Sequence, residues 1–132
     1  MRYLLDVNAL IALAHDAHTL HPRATAWWRR LPASAVILTT PVTELGFCRV
    51  SVNVGLQADV ASARLAMRKL KDSSRRAFEF LPDTLGADVM PAYVKRPSEL
   101  TDGHLLELAR AGDAMLATFD NGIKDAAAFL IS

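Results

Sequence analysis

The stretch YLLDVNALIALA (residues 3–14) joins a short apolar run to a longer apolar segment, with one carboxylate, Asp6, between them. The run Tyr3-Leu4-Leu5 predicts a buried strand that ends at Asp6. Asn8 can cap a helix that continues through Ala14, because Asn is a preferred residue at helix N-termini. We therefore expect a strand and a helix joined by a turn that carries an acidic side chain.

The same order of strand, polar turn and helix recurs along the chain. AVILT (residues 35–39) predicts a β-branched strand, Thr40-Pro41 begins the helix behind it, and AMLAT (residues 114–118) predicts another buried strand. Further helices are predicted at residues 22–31, 57–71, 85–94 and 101–112, and short strands at 78–81 and 128–131. This alternation predicts a three-layer α/β/α sandwich with a central, mainly parallel sheet, formed by residues 1–132 as a single domain.

Four acidic residues stand in mostly apolar stretches, each where a strand should end or a helix should begin: Asp6, Glu44, Asp102 and Asp120. Ligands of open parallel sheets gather at the carboxyl ends of the strands, so we expect these four side chains to meet there. Each acid alone has an ordinary explanation, as a turn residue or as a partner of a helix dipole. The convergence of all four is what indicates a site.

A cluster of carboxylates requires a neutralising charge. Two carboxylates about 4 Å apart repel by roughly 4 kcal/mol at an effective dielectric constant of about 20. No Lys or Arg adjoins any of the four acids in the sequence, which suggests a bound cation. Oxygen ligands favour a hard ion, Mg²⁺ or Mn²⁺, and such ions activate water and bind phosphate oxygens.

Composition narrows the class of protein. Hydrophobic residues make up 52% of the chain and charged residues 22%, which is typical of a folded globular domain. The net charge of +1 neither requires nor excludes nucleic acid as a partner. The single cysteine, Cys48, is compatible with a reducing compartment, and we see no signal peptide and no bilayer-spanning run. We expect a cytoplasmic protein that does not enter a membrane.

Four segments together resemble the motifs of PIN-domain ribonucleases, and most closely the VapC toxins of bacterial toxin–antitoxin pairs. They are DVNALIAL, PVTELGFCRVS, TDGHLLELA and LATFDNGI (residues 6–13, 41–51, 101–109 and 116–123). The resemblance implies a Mg²⁺- or Mn²⁺-dependent endoribonuclease that cuts structured RNA, pairs as a homodimer and is held inactive by a cognate antitoxin. It also implies that Asp6, Glu44, Asp102 and Asp120 are the catalytic, metal-binding acids.

Other residues receive lesser roles. By the same resemblance, Asn8 and Thr118 are supporting residues of the acidic site. Arg49 is a candidate contact for substrate phosphate. The basic residues between positions 64 and 76 fit either a solvated helix face or an RNA-backbone contact. Gly103 departs from the family pattern and should weaken the first turn of its helix.

We therefore expect an endoribonuclease toxin that hydrolyses phosphodiesters with metal-activated water. One alternative is a non-catalytic RNA-binding or regulatory module on the same fold. A more distant alternative is a metal-dependent phosphatase with Asp6 as its nucleophile. That chemistry requires a second Asp two residues later, where this chain has Asn8.

Overall fold

A computed structural model describes all residues, 1–132, of the chain. Each predicted strand forms, with boundaries shifted by a residue or two. The elements, in chain order, are β1 (Arg2–Leu5), α1 (Val7–Ala14), α2 (His21–Arg30), β2 (Val36–Thr39), α3 (Pro41–Asn53), α4 (Val60–Ser73), β3 (Ala77–Phe80), a 3-10 turn (Pro97–Glu99), α5 (Leu100–Ala111), β4 (Met115–Thr118) and β5 (Ala128–Leu130).

The five strands form one sheet in the order β3-β2-β1-β4-β5, and every neighbouring pair is parallel. The first strand of the chain is therefore the central strand of the sheet. Leu4 pairs with Leu38 of β2 on one side and with Leu116 of β4 on the other. Because all strands run in the same direction, their carboxyl ends share one edge, as the sequence predicted.

Helices cover both faces of the sheet. Successive side chains of β1 point to opposite faces, and each face packs against different helices. Tyr3 and Leu5 face a core cluster that includes residues of α1, α2, α3 and α4, such as Trp27 and Phe47. Leu4 faces the opposite way, into a cluster built mainly from α5 and the neighbouring strands. The predicted three-layer α/β/α architecture is confirmed.

The helix predicted at residues 85–94 is wrong, because these residues form turns and irregular backbone. The apolar side chains that suggested a helix pack instead against α5. At Gly103 an added Cβ would lie only 2.6 Å from Met90 Sδ and 2.8 Å from Val94 Cγ2. Pro91, which also contacts this position, is incompatible with a continuing helix. Gly103 is thus a place where the 85–94 segment approaches closely.

The predicted cap of α1 is also corrected. The helix begins at Val7, and its N-cap is Asp6, whose Oδ1 accepts a hydrogen bond from Ala9 N at 2.7 Å. Asn8 lies inside the first turn and is exposed to solvent. None of the helices is both long enough and apolar enough to cross a bilayer.

Candidate acidic site at the carboxyl edge of the sheet

Successive strands are first added on one side of β1 and then on the other. From β1 the chain moves outward through β2 to β3, and it then returns to place β4 on the other side of β1. Parallel sheets open a crevice at such a reversal, at the carboxyl ends of the two strands. Asp6 directly follows β1, and Asp120 lies two residues after the end of β4. Both acids therefore stand at this crevice.

Asp6 is the buried member of the group, with 8% of its surface exposed. Burial raises the pKa of Asp6 to about 6, and the neighbouring carboxylates Asp102 and Asp120 contribute to the rise. Hydrogen bonds from the Thr118 hydroxyl and from the backbone of Ala9 act in the opposite direction. Asp6 is therefore a carboxylate whose negative charge is poorly compensated by the protein itself.

Asp102 lies on α5 and Asp120 in the turn after β4, and both are neighbours of Asp6. Asp102 is half-buried in the first turn of α5, and burial together with the Asp120 charge raises its pKa. Asp120 is exposed, and its own turn holds it, because Oδ1 accepts a hydrogen bond from Gly122 N at 2.8 Å. The two side chains line one cleft of about 530 Å³. Three of the four predicted acids thus influence one another.

Glu44 has a different environment. Its Oε2 accepts hydrogen bonds from Thr39 Oγ1 and from Lys71 Nζ, each at 2.6 Å. The absence of a cation beside this acid in the sequence was misleading, because Lys71 comes from α4 and pairs with it. Glu44 lines a separate cavity of about 270 Å³ together with Arg64 and Arg68. That cavity is basic, whereas the cleft of Asp102 and Asp120 contains both signs of charge.

The residues predicted to support the acidic site or to contact substrate differ in their burial. Thr118 is buried at the end of β4, where its hydroxyl acts to lower the pKa of Asp6 and its oxygen accepts a hydrogen bond from Asp120 N at 3.0 Å. Thr118 therefore links two of the aspartates. Asn8 and Arg49 are both exposed, on the first turn of α1 and on α3 respectively.

The oxygen-only donor set of the three aspartates suits a hard divalent cation, since carboxylates are the ligands that Mg²⁺ and Mn²⁺ prefer. As they stand, however, no three His, Cys, Asp or Glu side chains are close enough together to hold a metal ion. Asp120 is exposed and Asp102 half-buried, so packing locks neither side chain, although a turn of Asp120 toward Asp6 would break its hydrogen bond from Gly122 N. The chemistry of the donors fits a cation, and closure around it requires a change of side-chain rotamers.

Three further residues line the cleft that sequence reasoning did not select: Tyr93, Arg96 and Lys124. They lie in irregular segments, where no periodicity marks a functional side chain. A chemical signal was nonetheless present, because an aromatic ring and two cations flank the TDGHLLELA and FDNGI segments in the sequence.

Comparison with known proteins is consistent with this geometry. The family model for the PIN domain matches residues 3–128. The chain is 39% identical to Ribonuclease VapC38 of Mycobacterium tuberculosis over 125 residues, which cover 91% of this chain and 86% of the relative. It is 37% identical over 124 residues to Ribonuclease VapC29 of the same organism, covering 93% of this chain and 89% of that protein.

The fold also matches a crystal structure. M. tuberculosis VapC20, described with its structure as a toxin that cleaves the sarcin–ricin loop, superimposes with a TM-score of 0.61. The match covers 95% of this chain and 92% of VapC20, at 14% sequence identity. At this identity the superposition bears on the fold alone.

Proposed function

This chain belongs to the PIN-domain family and to its VapC ribonucleases, and we propose that it is a divalent-metal-dependent endoribonuclease that serves as the toxin of a toxin–antitoxin pair. The observation that carries the proposal is that Asp6, Asp102 and Asp120 lie at the same crevice, between β1 and β4. The charges of Asp102 and Asp120 add to the rise of the Asp6 pKa, and the charge of Asp120 adds to the rise of the Asp102 pKa. None of the three has a Lys or Arg ion-pair partner in the structure.

Asp6, Asp102 and Asp120 would hold the cation, which we propose to be Mg²⁺ or Mn²⁺. Bound there, it would supply Lewis-acid polarisation of a phosphodiester and activation of water. Asp6 would be the ligand with the most fixed side chain, because it is buried and its Oδ1 accepts a hydrogen bond from Ala9 N. Thr118 orients Asp6 through its hydroxyl and keeps the backbone of Asp120 at the same edge.

In this proposal Glu44 acts by holding the side chain of Lys71 in place. The Thr39 hydroxyl and the Lys71 ammonium both bind one oxygen of Glu44, which keeps the ammonium at the mouth of the basic cavity. Arg64 and Arg68 stand beside it on the same helix. Three cations on one wall would bind the phosphate backbone of RNA, and each contact would make binding weaken as salt rises. Arg49 on α3 is an additional candidate for such a contact.

The partners follow from family membership and are also proposals: a structured RNA substrate, a cognate antitoxin and a second copy of the chain. Large apolar side chains are exposed on α3 and α4, including Leu45 and Val60, with 68% and 60% of their surfaces accessible. Such side chains are available for a protein partner.

Cleavage of RNA by the purified chain tests the proposal. We expect cuts in total RNA, mapped by sequencing of the new ends, that depend on Mg²⁺ or Mn²⁺ and stop in EDTA. Asp120→Asn should lower the rate at least a hundredfold. Asp120 is exposed, and Asn can still accept the hydrogen bond from Gly122 N, so the fold should be unaffected. Asp113→Asn is the matched control, because Asp113 is an exposed Asp at the opposite end of β4 whose positive φ Asn tolerates.

A non-catalytic RNA-binding module is the second candidate, and two observations favour it. No group of three potential ligands is preassembled around a metal position, and Glu44 is already neutralised by Lys71. This candidate predicts that RNA binds equally well in EDTA and in Mg²⁺ and is never cut. Metal-dependent cleavage that Asp120→Asn abolishes would exclude it.

A further inference from the structure

The cleft that contains Asp102 and Asp120 has a wall with no role in metal binding. One side is α5, and the other is formed by the irregular segment before it and by the turn after β4. The volume of about 530 Å³ is ample for one nucleotide. The wall presents the aromatic ring of Tyr93 and the cationic side chains of Arg96 and Lys124.

Tyr93 is held in place although it is exposed. Its hydroxyl donates a hydrogen bond to Asp125 Oδ2 at 2.6 Å. Asp125 in turn accepts hydrogen bonds from Arg110 Nη1 at 2.6 Å and from Ala127 N at 2.8 Å. The tyrosine is thus held to α5 and to the β4–β5 connection through the single carboxylate of Asp125.

Despite this anchor, 46% of the surface of Tyr93 remains accessible. A fixed and exposed aromatic ring loses little conformational entropy when a flat ligand stacks on it. Stacking of an unpaired base on such a ring strengthens binding by about fivefold to a hundredfold and tolerates any base, because every base has a π-face.

The two cations are free to meet a phosphate group. Arg96 has a side chain that is 77% exposed, and its only ion pair is a long one of 3.6 Å to Glu99. Lys124 Nζ donates one hydrogen bond, to the carbonyl of Asn121, which leaves two of its donors unused. Without these cations, the cleft would present mainly Asp102, Asp120 and Glu99 to the phosphates of an incoming strand.

We propose that this cleft is a nucleotide-binding subsite next to the cleavage position, in which an unpaired base stacks on Tyr93 and its phosphate contacts Arg96 and Lys124. This inference rests on the proposed ribonuclease function and extends it to recognition of a flanking nucleotide. Asp125 and Arg110 are positioning residues in it, since they act only by holding Tyr93.

Fluorescence of 2-aminopurine tests the stacking. Short single-stranded RNAs that carry this base at one position each are bound to the Asp6→Asn chain, which should not cut them. We expect one position to be strongly quenched. Tyr93→Leu should remove the quenching and weaken RNA binding about fivefold to a hundredfold. Tyr93→Phe keeps the ring but loses the bond to Asp125, so its quenching should be weaker than in the parent and stronger than in Tyr93→Leu.

Salt dependence tests the phosphate contacts. Arg96→Gln combined with Lys124→Gln should lower the dependence of log affinity on log salt by about 0.7, the value for one neutralised phosphate of single-stranded RNA. Lys95→Gln is the matched control, because this exposed lysine adjoins Arg96 without lining the cleft. It should leave the slope unchanged.

The outcomes separate the two proposals. If the parent chain cuts RNA while Tyr93→Leu, shown to be folded by circular dichroism, binds and cuts it equally well with the quenching intact, the subsite is wrong and the ribonuclease function stands. An equal loss of slope in the Lys95→Gln control would also overturn the subsite. A parent chain that neither binds nor cuts RNA overturns both proposals.

Discussion

Lys71 Nζ lies 2.6 Å from Glu44 Oε2, although the two residues are 27 positions apart in the chain and belong to different helices. The contact supplies a cation to one of the four predicted site acids and leaves the other three without one. The acids at the carboxyl edge of the sheet (the acidic edge) therefore fall into two parts. Three aspartates have no counterion, and Glu44 forms an ion pair within a basic cavity.

Removal of the Lys71 charge should strengthen metal binding. In Lys71→Met, Glu44 keeps its negative charge and loses its counterion, so the edge becomes more attractive to a divalent cation. We expect Mn²⁺ to bind about threefold to tenfold more tightly, as measured by calorimetry. Lys69→Met is the control, because Lys69 lies on the same helix and forms no ion pair. Unchanged affinity in Lys71→Met would mean that Glu44 does not act on the cation.

Asp6→Asn should abolish cleavage and, without metal, stabilise the fold. Ionised Asp6 is destabilising because burial raises its pKa from 3.8 to about 6. The folded state therefore binds a proton more tightly than the unfolded state, so the free energy of unfolding falls as pH rises from about 4 to about 6. Asn removes this penalty and still accepts the hydrogen bond from Ala9 N.

The expected gain is up to about 3 kcal/mol at pH 7.5, at 1.36 kcal/mol per pKa unit, and it should vanish near pH 4. Urea unfolding in EDTA at the two pH values measures it. Asp88→Asn, at an exposed position, is the control and should show no gain. A loss of stability at pH 7.5 would assign Asp6 a structural role.

Asp125→Asn should destabilise the fold in a pH-dependent way. The Arg110 guanidinium holds the pKa of Asp125 well below its usual range, with help from Tyr93 and Ala127. A lowered carboxyl pKa contributes stability above the pKa of the unfolded state, and this contribution is lost as pH falls below about 4. We expect the melting temperature of Asp125→Asn to be about 3–6 °C below that of the parent at pH 7. The gap should be smaller at pH 3 than at pH 7, as calorimetry can establish.

Gly103→Ala should loosen the segment before α5. Alanine favours the helix by up to about 1 kcal/mol, but its Cβ would collide with Met90 and Val94, which must then move away. Trypsin should consequently cut after Lys95 faster than in the parent. Gly86→Ala provides the comparison, because no atom lies within 4 Å of a Cβ added there. Equal digestion rates in both variants would show that the close approach at Gly103 does not hold the segment.

Strong apolar runs made the centre of the fold predictable. The segments around Leu4, Ile37 and Leu116 are buried on both faces of the sheet, so their composition alone distinguishes them from helices and turns. The acids that follow these strands were predictable as well, since parallel strands place their carboxyl ends together.

Long-range contacts between side chains were not predictable. The pairing of Glu44 with Lys71 depends on how α4 packs against α3, which no local pattern encodes. The segment at 85–94 was mistaken for a helix because its apolar residues serve tertiary packing against Gly103 rather than helical periodicity. Tyr93 was missed for the same reason, because its position depends on Asp125, 32 residues later.

The central position of β1 determines when the acidic edge can be completed during synthesis. Leu4 can pair with Leu38 once β2 has been synthesised, but its other neighbour, Leu116, is translated much later. A nascent chain therefore cannot bring Asp6 to Asp102 and Asp120 until α5, β4 and the turn after β4 have been synthesised. With the proposed activity, this order of synthesis would keep a partly made chain inactive until its three aspartates can come together.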